Sequence, residues 1–224
     1  MASKDRVPGL IDPEGYLWPS VEAVVKHASV DEVETEIQAQ LDLALKMGFT
    51  PTHIDSHMGT LFASPAFLQR YIKLGIKYHI PVMLPGGHDL LIKDYMKASD
   101  AMIEQMRSLG KTLWAAGLPV LDDLHNLSYD WKPTDSIAAD DKKLQAFKTA
   151  KYIEALKTLQ PGVTMMIMHC TKTSEVFAHI SDSGPVRKGD LLAMTDPVFK
   201  AALAKENIIL TTWRELKQKR DLVH

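Results

Sequence analysis

A chain of 224 residues with 46% hydrophobic and 24% charged residues has the composition of a folded globular protein and excludes a disordered or collagen-like one. Its 26 Lys and Arg against 28 Asp and Glu leave a formal net charge of −2, which excludes the broad basic surface that nucleic-acid binders use. The single cysteine, Cys170, excludes an intrachain disulfide and favours a reducing, cytoplasmic location. Neither a signal-peptide core nor an apolar run of about 20 residues is present, so no membrane partner is expected.

Helical periodicity alternates with short apolar runs along most of the chain. Ser29 and Glu32 match a capping box, and Ser64-Pro65 matches an N-cap followed by proline at the first helical position. The pattern predicts helices at 30–47, 65–78, 91–109, 141–159 and 197–205 and from 213 onward, and strands at 53–56, 80–84, 112–121, 163–168 and 208–212.

This alternation predicts an α/β fold. The continuous apolar run at 163–168 is typical of a parallel strand buried on both faces. Five β/α alternations fit either an α/β barrel or an open doubly wound sheet, in one domain over 1–224. Residues 1–20 hold three prolines, two glycines and no period, which predicts an irregular start. Because five strands do not close a barrel, an exposed sheet edge would favour a homodimer.

The most informative polar group lies in the predicted strand at 53–56, with the sequence His53-Ile54-Asp55-Ser56-His57. On an extended strand, alternate residues share one face, so His53, Asp55 and His57 would converge. Imidazole and carboxylate together suit a divalent metal ion. The structural alternative is that His53 and Asp55 hydrogen-bond each other while His57 caps the following loop.

A second candidate is His169, at the end of the most apolar strand. A polar side chain at that junction is costly unless it is paired or used. Cys170 comes next, but adjacent strand residues point to opposite faces, so His169 is badly placed to activate it. We therefore interpret Cys170 as a small buried side chain.

Three further polar residues follow predicted strands. Arg187 and Asp190 close a loop and could reach the site, although a surface ion pair is the simpler interpretation. Asp122 follows the strand that ends at Leu121 and could either bind sugar hydroxyls or order a loop.

Four separated motifs, namely residues 52–57, His169, 187–190 and 208–216, resemble the YdjC-like (ChbG/HpnK) carbohydrate deacetylases. The resemblance spans about residues 7–219. It implies a distorted (β/α) barrel of the polysaccharide-deacetylase type and metal-dependent removal of N-acetyl groups from amino-sugar oligosaccharides such as chitooligosaccharides. It further implies that His57 is a metal ligand and that His169 lies in the active site as a candidate general acid.

The sequence departs from the family pattern at its start. The family opens with a strand ending in Ala-Asp-Asp-Phe-Gly, whose aspartate serves the metal and the catalytic water, and a later Gly-x-His segment supplies another ligand; this sequence contains neither. The barrel is therefore expected to be incomplete at its N-terminal end. A magnesium or zinc ion would rely on His57, with His53 as a second ligand, and Asp55 would replace the missing base. Because a catalytic metal normally needs at least three protein ligands, a non-catalytic carbohydrate-binding relative is the first alternative, and an incomplete chain whose full-length form is the enzyme is the second.

Overall fold

The computed structural model describes residues 1–223, which form ten α-helices and one two-stranded parallel sheet. The helices are α1 (Val21–His27), α2 (Val30–Lys46), α3 (Pro65–Tyr78), α4 (Leu90–Met96), α5 (Asp100–Ala115), α6 (Asp135–Ala138), α7 (Asp141–Leu156), α8 (Gly184–Met194), α9 (Pro197–Lys205) and α10 (Trp213–Asp221), and the strands are β1 (Asp123–His125) and β2 (Thr164–Met166). In the described part of the chain, no helix combines the length and apolar character that a membrane crossing requires.

The chain divides into two compact units. Unit 1 contains Met1–Leu84, Ser108–Val120 and the chain from Thr212 onward. Unit 2 contains Pro85–Arg107 and Leu121–Thr211, so the division falls within α5.

In unit 1, α3 supports a short parallel contact between two extended segments. Ile54 pairs with Val82 through the Ile54 amide to the Pro81 carbonyl and the Met83 amide to the Ile54 carbonyl, each 2.9 Å. The Tyr71 hydroxyl on α3 donates to the Ile54 carbonyl at 2.7 Å. These bonds fix the segment that carries the first candidate site. Its apolar support is the core cluster of Tyr71, Ile72, Val82, Leu84, Leu113 and Leu118.

In unit 2, β1 and β2 pair in parallel, with Asp123 opposite Thr164 and His125 opposite Met166. Helices α7 and α8 pack closely because Gly189 has no side chain: a Cβ there would lie 2.6 Å from Lys148 Cγ. Parallel pairing brings the carboxyl ends of β1 and β2 to the same edge of the sheet. The core beside them contains Tyr152, Leu156, Ala193 and Phe199.

The structure confirms the α/β class and most helices, and it corrects several boundaries. Helices α2 and α3 begin where their capping signals predict, and α9 spans the predicted range 197–205. The predicted helix at 91–109 is two helices, α4 and α5, and the predicted strand at 112–121 is wrong because α5 continues to Ala115. Residues 208–212 form no strand in the described chain. The described residues form a parallel sheet of two strands, so a complete barrel stays a prediction.

Candidate functional site

The segment around His57 leaves the extended conformation directly after Ser56. A 3-10 segment begins at His57 and is interrupted by positive φ angles of 55° at Met58 and 71° at Gly59. The Ser56 hydroxyl accepts the Leu61 amide at 2.9 Å and closes this turn. A positive φ in methionine is unfavourable, and such strain is concentrated at functional sites.

A cavity of about 450 Å³ in unit 1 adjoins this segment. Aliphatic side chains from α2 and from the segments around it form much of its wall, and His53, Asp55 and His57 also line it. Trp18 contributes an indole ring that stacks on His27 with 4.3 Å between ring centroids. The volume lies within the range of about 300–1,000 Å³ that is typical of small-molecule sites.

The three predicted site residues at this cavity, His53, Asp55 and His57, differ in environment. Asp55 is exposed, and its Oδ1 accepts the Ser56 amide at 2.6 Å. His57 is also exposed. The His53 ring stacks on Trp213, with a centroid separation of 5.1 Å, and its Nδ1 lies 3.2 Å from the hydroxyl of Thr52. Burial lowers the pKa of His53, with Asp55 acting in the opposite direction, which favours a neutral imidazole at pH 7.

These residues do not match the donor set of a catalytic metal. Within residues 1–223, no group of three or more His, Cys, Asp or Glu side chains is arranged to hold a metal ion. The predicted convergence of His53, Asp55 and His57 requires a regular strand, and only Ile54 of this segment makes a β-bridge. The ligand roles of His57 and His53 therefore stay predictions.

His169 lies in unit 2, three residues beyond the end of β2. Its ring packs edge-on against Tyr129, with 4.4 Å between centroids and an interplanar angle of 84°. Its amide donates to Asp190 Oδ2 at 3.0 Å. His57 belongs to unit 1, and a shared site for the two histidines stays a prediction.

The sequence predicted that Asp190 closes a loop, but the structure places it within α8. The side chain is fully buried, and its carboxylate pairs with Lys148 Nζ at 2.7 Å. The Tyr152 hydroxyl donates to the same Asp190 oxygen at 2.8 Å. A substrate-binding role for Asp190 stays a prediction, and in this conformation the side chain has no solvent-facing surface.

Arg187 and Cys170 lie near His169 in the same unit. The Arg187 Nε donates to the Ser183 hydroxyl at 2.8 Å, and its guanidinium lies over the Tyr129 ring at 5.3 Å. Cys170 is exposed, so the interpretation as a buried side chain is wrong. The segment that follows β2 is not a regular strand there, and the strand alternation that predicted burial does not apply.

Asp122 has a clear local partner. Its Oδ2 accepts the Val163 amide at 2.7 Å, and its side chain fills the space beside two glycines, Gly87 and Gly162. The contact orders the loop before β2. A role for Asp122 in binding sugar hydroxyls stays a prediction.

Lys148 is the residue that sequence reasoning missed. It lies between Leu144 and Tyr152 at successive spacings of four, on the face of α7 that the apolar residues define. A lysine at such a position is the signal that could have identified a buried ion pair, because lysine is almost never fully buried unless it is paired.

The chain resembles known proteins both in fold and in sequence. The parallel α/β fold resembles the crystal structure of a protein described as a cellobiose-phosphate cleavage protein from Enterococcus faecalis, with a TM-score of 0.70 and 18% identity over 96% of this chain and 72% of that chain. The model of the YdjC-like protein family matches residues 1–205. The chain belongs to the YdjC-like family.

Two relatives match this chain in sequence over most of their length. A carbohydrate deacetylase of Thermus thermophilus is 26% identical over 209 residues, which cover 93% of this chain and 69% of the relative. A carbohydrate deacetylase of Thermoanaerobacter pseudethanolicus is 24% identical over 218 residues, or 97% of this chain and 73% of the relative.

Proposed function

We propose that this chain acts on N-acetylated amino-sugar oligomers and that its reaction is hydrolysis of the acetamide C–N bond. The observation that carries the proposal is membership of a family whose relatives over nearly the whole chain are named carbohydrate deacetylases. The cavity beside residues 53–57 supports it. The indole of Trp18 offers an apolar face of the kind on which a sugar ring packs.

Amide hydrolysis needs an acceptor for the proton of the attacking water and a donor for the departing amine. We assign the first role to Asp55, because its exposed carboxylate borders the cavity. The second role is the one that the family resemblance implies for His169. Water then adds to the acetyl carbonyl carbon, the C–N bond breaks, and acetate and a free amino sugar leave.

Carbohydrate binding without turnover is the second candidate function. It is favoured by the donor arrangement, since residues 1–223 contain no group of three side chains suited to a metal ion. The family chemistry would then be lost, while the cavity of unit 1 would keep its ability to bind a sugar.

The test measures binding and acetate release in parallel. The probes are chitooligosaccharides, their fully deacetylated counterparts and cello-oligosaccharides of equal length. We expect saturation-transfer NMR to detect binding of the acetylated oligomers, and Trp18→Ala to weaken it up to about tenfold through loss of ring stacking. Asp42→Asn, an exposed change on α2, is the control. Equal binding of all three oligomer classes would contradict an acetamide-specific site.

A further inference from the structure

Lys148 is a fully buried cation with an unusually complete set of partners. Its Nζ lies 2.7 Å from Asp190 Oδ1 and donates to the Ser128 carbonyl at 2.8 Å. The Trp131 ring lies beneath it, 5.3 Å from Nζ to the centroid. Burial lowers the pKa of Lys148, and the hydrogen bond to Asp190 acts against this effect and favours the charged form.

The Asp190 carboxylate connects this cation to the chain after β2. Oδ1 accepts both Lys148 and the Tyr152 hydroxyl, while Oδ2 accepts the His169 amide at 3.0 Å. Asp190 and Lys148 are both 0% exposed. Neither side chain can therefore touch a ligand in this conformation, and their effect on a site must pass through the backbone that they hold.

The buried pair also reaches the chain after β1. Ser128 lies three residues beyond that strand, and its carbonyl is the second acceptor of Lys148. The Ser128 hydroxyl donates to the Ile167 carbonyl at 3.2 Å, directly after β2. Loops at the carboxyl ends of parallel strands are where α/β proteins place their sites, and this pair holds two of them.

We propose that Lys148 and Asp190 are positioning residues, which fix the backbone at His169 and through it the place of the His169 imidazole. The inference rests on the proposed function, in which His169 supplies the proton to the leaving amine. Misplacement of a reacting group by about 1 Å can cost on the order of 10²-fold in rate, so a rigid support has a catalytic consequence.

Two double variants separate positioning from stability. Lys148→Met with Asp190→Asn removes both charges and keeps a side-chain carbonyl that can accept the His169 amide. Lys148→Met with Asp190→Leu removes the charges and the acceptor. Replacing both members of a buried ion pair avoids the unpaired charge that a single substitution leaves, so both proteins are expected to fold. Lys151→Met, on the exposed side of α7, is the matched control.

The measurement is the ¹H–¹³C NMR signal of the His169 ring, assigned with His169→Gln. We expect the Asn double variant and the control to keep the signal at its original position, and the Leu double variant to shift or broaden it. The same position in both double variants would overturn the proposal. The NMR signal is measured without substrate, so it tests the positioning role independently of catalysis. Absence of acetate release would contradict the proposed function and would not affect the NMR result.

The Cys170 thiol gives a second measurement, which uses the single variants Lys148→Met and Asp190→Asn. Partial desolvation by neighbouring groups raises the pKa of the exposed Cys170 thiol; Asp190 raises it further, whereas Lys148 lowers it. From the pH dependence of its reaction with a disulfide reagent, we expect Lys148→Met to raise this pKa and Asp190→Asn to lower it. Local unfolding would instead shift both toward the ordinary value. Shifts of the same sign in the two variants would contradict a pair that acts on the His169-Cys170 backbone.

Discussion

Asp89 is a buried carboxyl whose loss of hydration is not offset by well-aligned hydrogen bonds in the described chain. It is 0% exposed, has a positive φ of 56°, and no group in residues 1–223 makes a well-aligned hydrogen bond to either carboxylate oxygen. Burial raises its pKa to about 7, and the nearby carboxylates of Asp123 and Asp122 add to this effect. The Arg107 guanidinium acts in the opposite direction, but its hydrogen bonds go to the carbonyls of Gly87 and His88.

The raised pKa of Asp89 predicts a pH-dependent stability. Because the fold favours the protonated form, the contribution is fully present below the ordinary pKa of 3.8 and is lost as pH rises toward about 7. Asp89→Asn should be close to wild type near pH 4 and more stable at pH 8, by an amount on the order of a few kcal/mol. Urea unfolding at both pH values measures this, with exposed Asp94→Asn as the control. An Asn variant that is less stable at pH 8 would contradict the prediction.

His57 offers a residue-scale test of metal binding. It is exposed at the cavity of unit 1, and the family resemblance implies that it is a ligand. Two imidazoles without a third donor should bind a divalent ion weakly, so we expect less than one metal ion per chain after chelator-free purification. His57→Ala should lower that content further, whereas exposed His179→Ala should not. Metal analysis by mass spectrometry decides; equal content in both variants would remove His57 from the site.

At the scale of elements, helix starts were predictable because their signals are local. Ser29 and Glu32 make both reciprocal hydrogen bonds of the capping box of α2, and Pro65 opens α3. Strands were less predictable because their stability depends on distant partners. Residues 112–115 have a composition that fits a strand, yet Leu113 is fully buried in the core of unit 1 as part of α5. Tertiary packing overrides local preference there.

The run at 208–212 also shows that local sequence preference does not determine strand formation. Its apolar sequence predicts a strand, but Ile209 is 86% exposed and Leu210 is 75% exposed. No strand in residues 1–223 pairs with this segment. A sequence pattern reports the preference of the segment, whereas a β-ladder also requires a neighbour with free backbone groups.

The packing of α7 on α8 carries a prediction about Gly189. A Cβ at this position would lie 2.6 Å from Lys148 Cγ and 3.1 Å from Leu144 Cδ1. Lys148 cannot move aside without leaving Asp190, so Gly189→Ala should lower the free energy of unfolding by about 1–3 kcal/mol in spite of the better helix propensity of alanine.

Gly184 provides the matched control on the same helix. A Cβ there would meet Thr173 Cγ2 at 3.5 Å, an ordinary van der Waals contact. Thermal unfolding should therefore show a lower Tm for Gly189→Ala and little change for Gly184→Ala. A Gly189→Ala protein as stable as Gly184→Ala would mean that the interface between α7 and α8 has room for the added methyl group.

At the scale of the whole molecule, family membership was predictable and barrel closure was not. The motifs at 52–57 and around His169 are short and contiguous, so their residue identities suffice to indicate the family that the chain matches over 1–205. Closure depends on which strands pair, and the described chain contains a two-stranded sheet with isolated bridges at Ile54–Val82 and Pro85–Leu121. Long-range pairing of this kind leaves little trace in local periodicity.

The expected activity depends on how the motif residues are arranged, and not only on their presence in the sequence. General-base assistance is worth about 10²–10⁴-fold in rate, and it requires a base held against the attacking water. Asp55 is the carboxylate assigned to that role, but its Oδ1 is engaged by the Ser56 amide, and residues 1–223 supply no three-residue metal site beside it. We therefore expect acetate release from chitooligosaccharides by this 224-residue chain to be very weak but measurable, while sugar binding persists.

The assay compares acetate release with and without added zinc, magnesium or nickel, for the wild type and for Asp55→Asn. Any residual rate should fall further in Asp55→Asn, because the amide cannot accept the proton of water, and should be unchanged in Asp42→Asn on exposed α2. Turnover at the rate of a full deacetylase would show that His53, Asp55 and His57 suffice, which the donor geometry argues against. A rate that is equal in Asp55→Asn and wild type would assign the base to another residue.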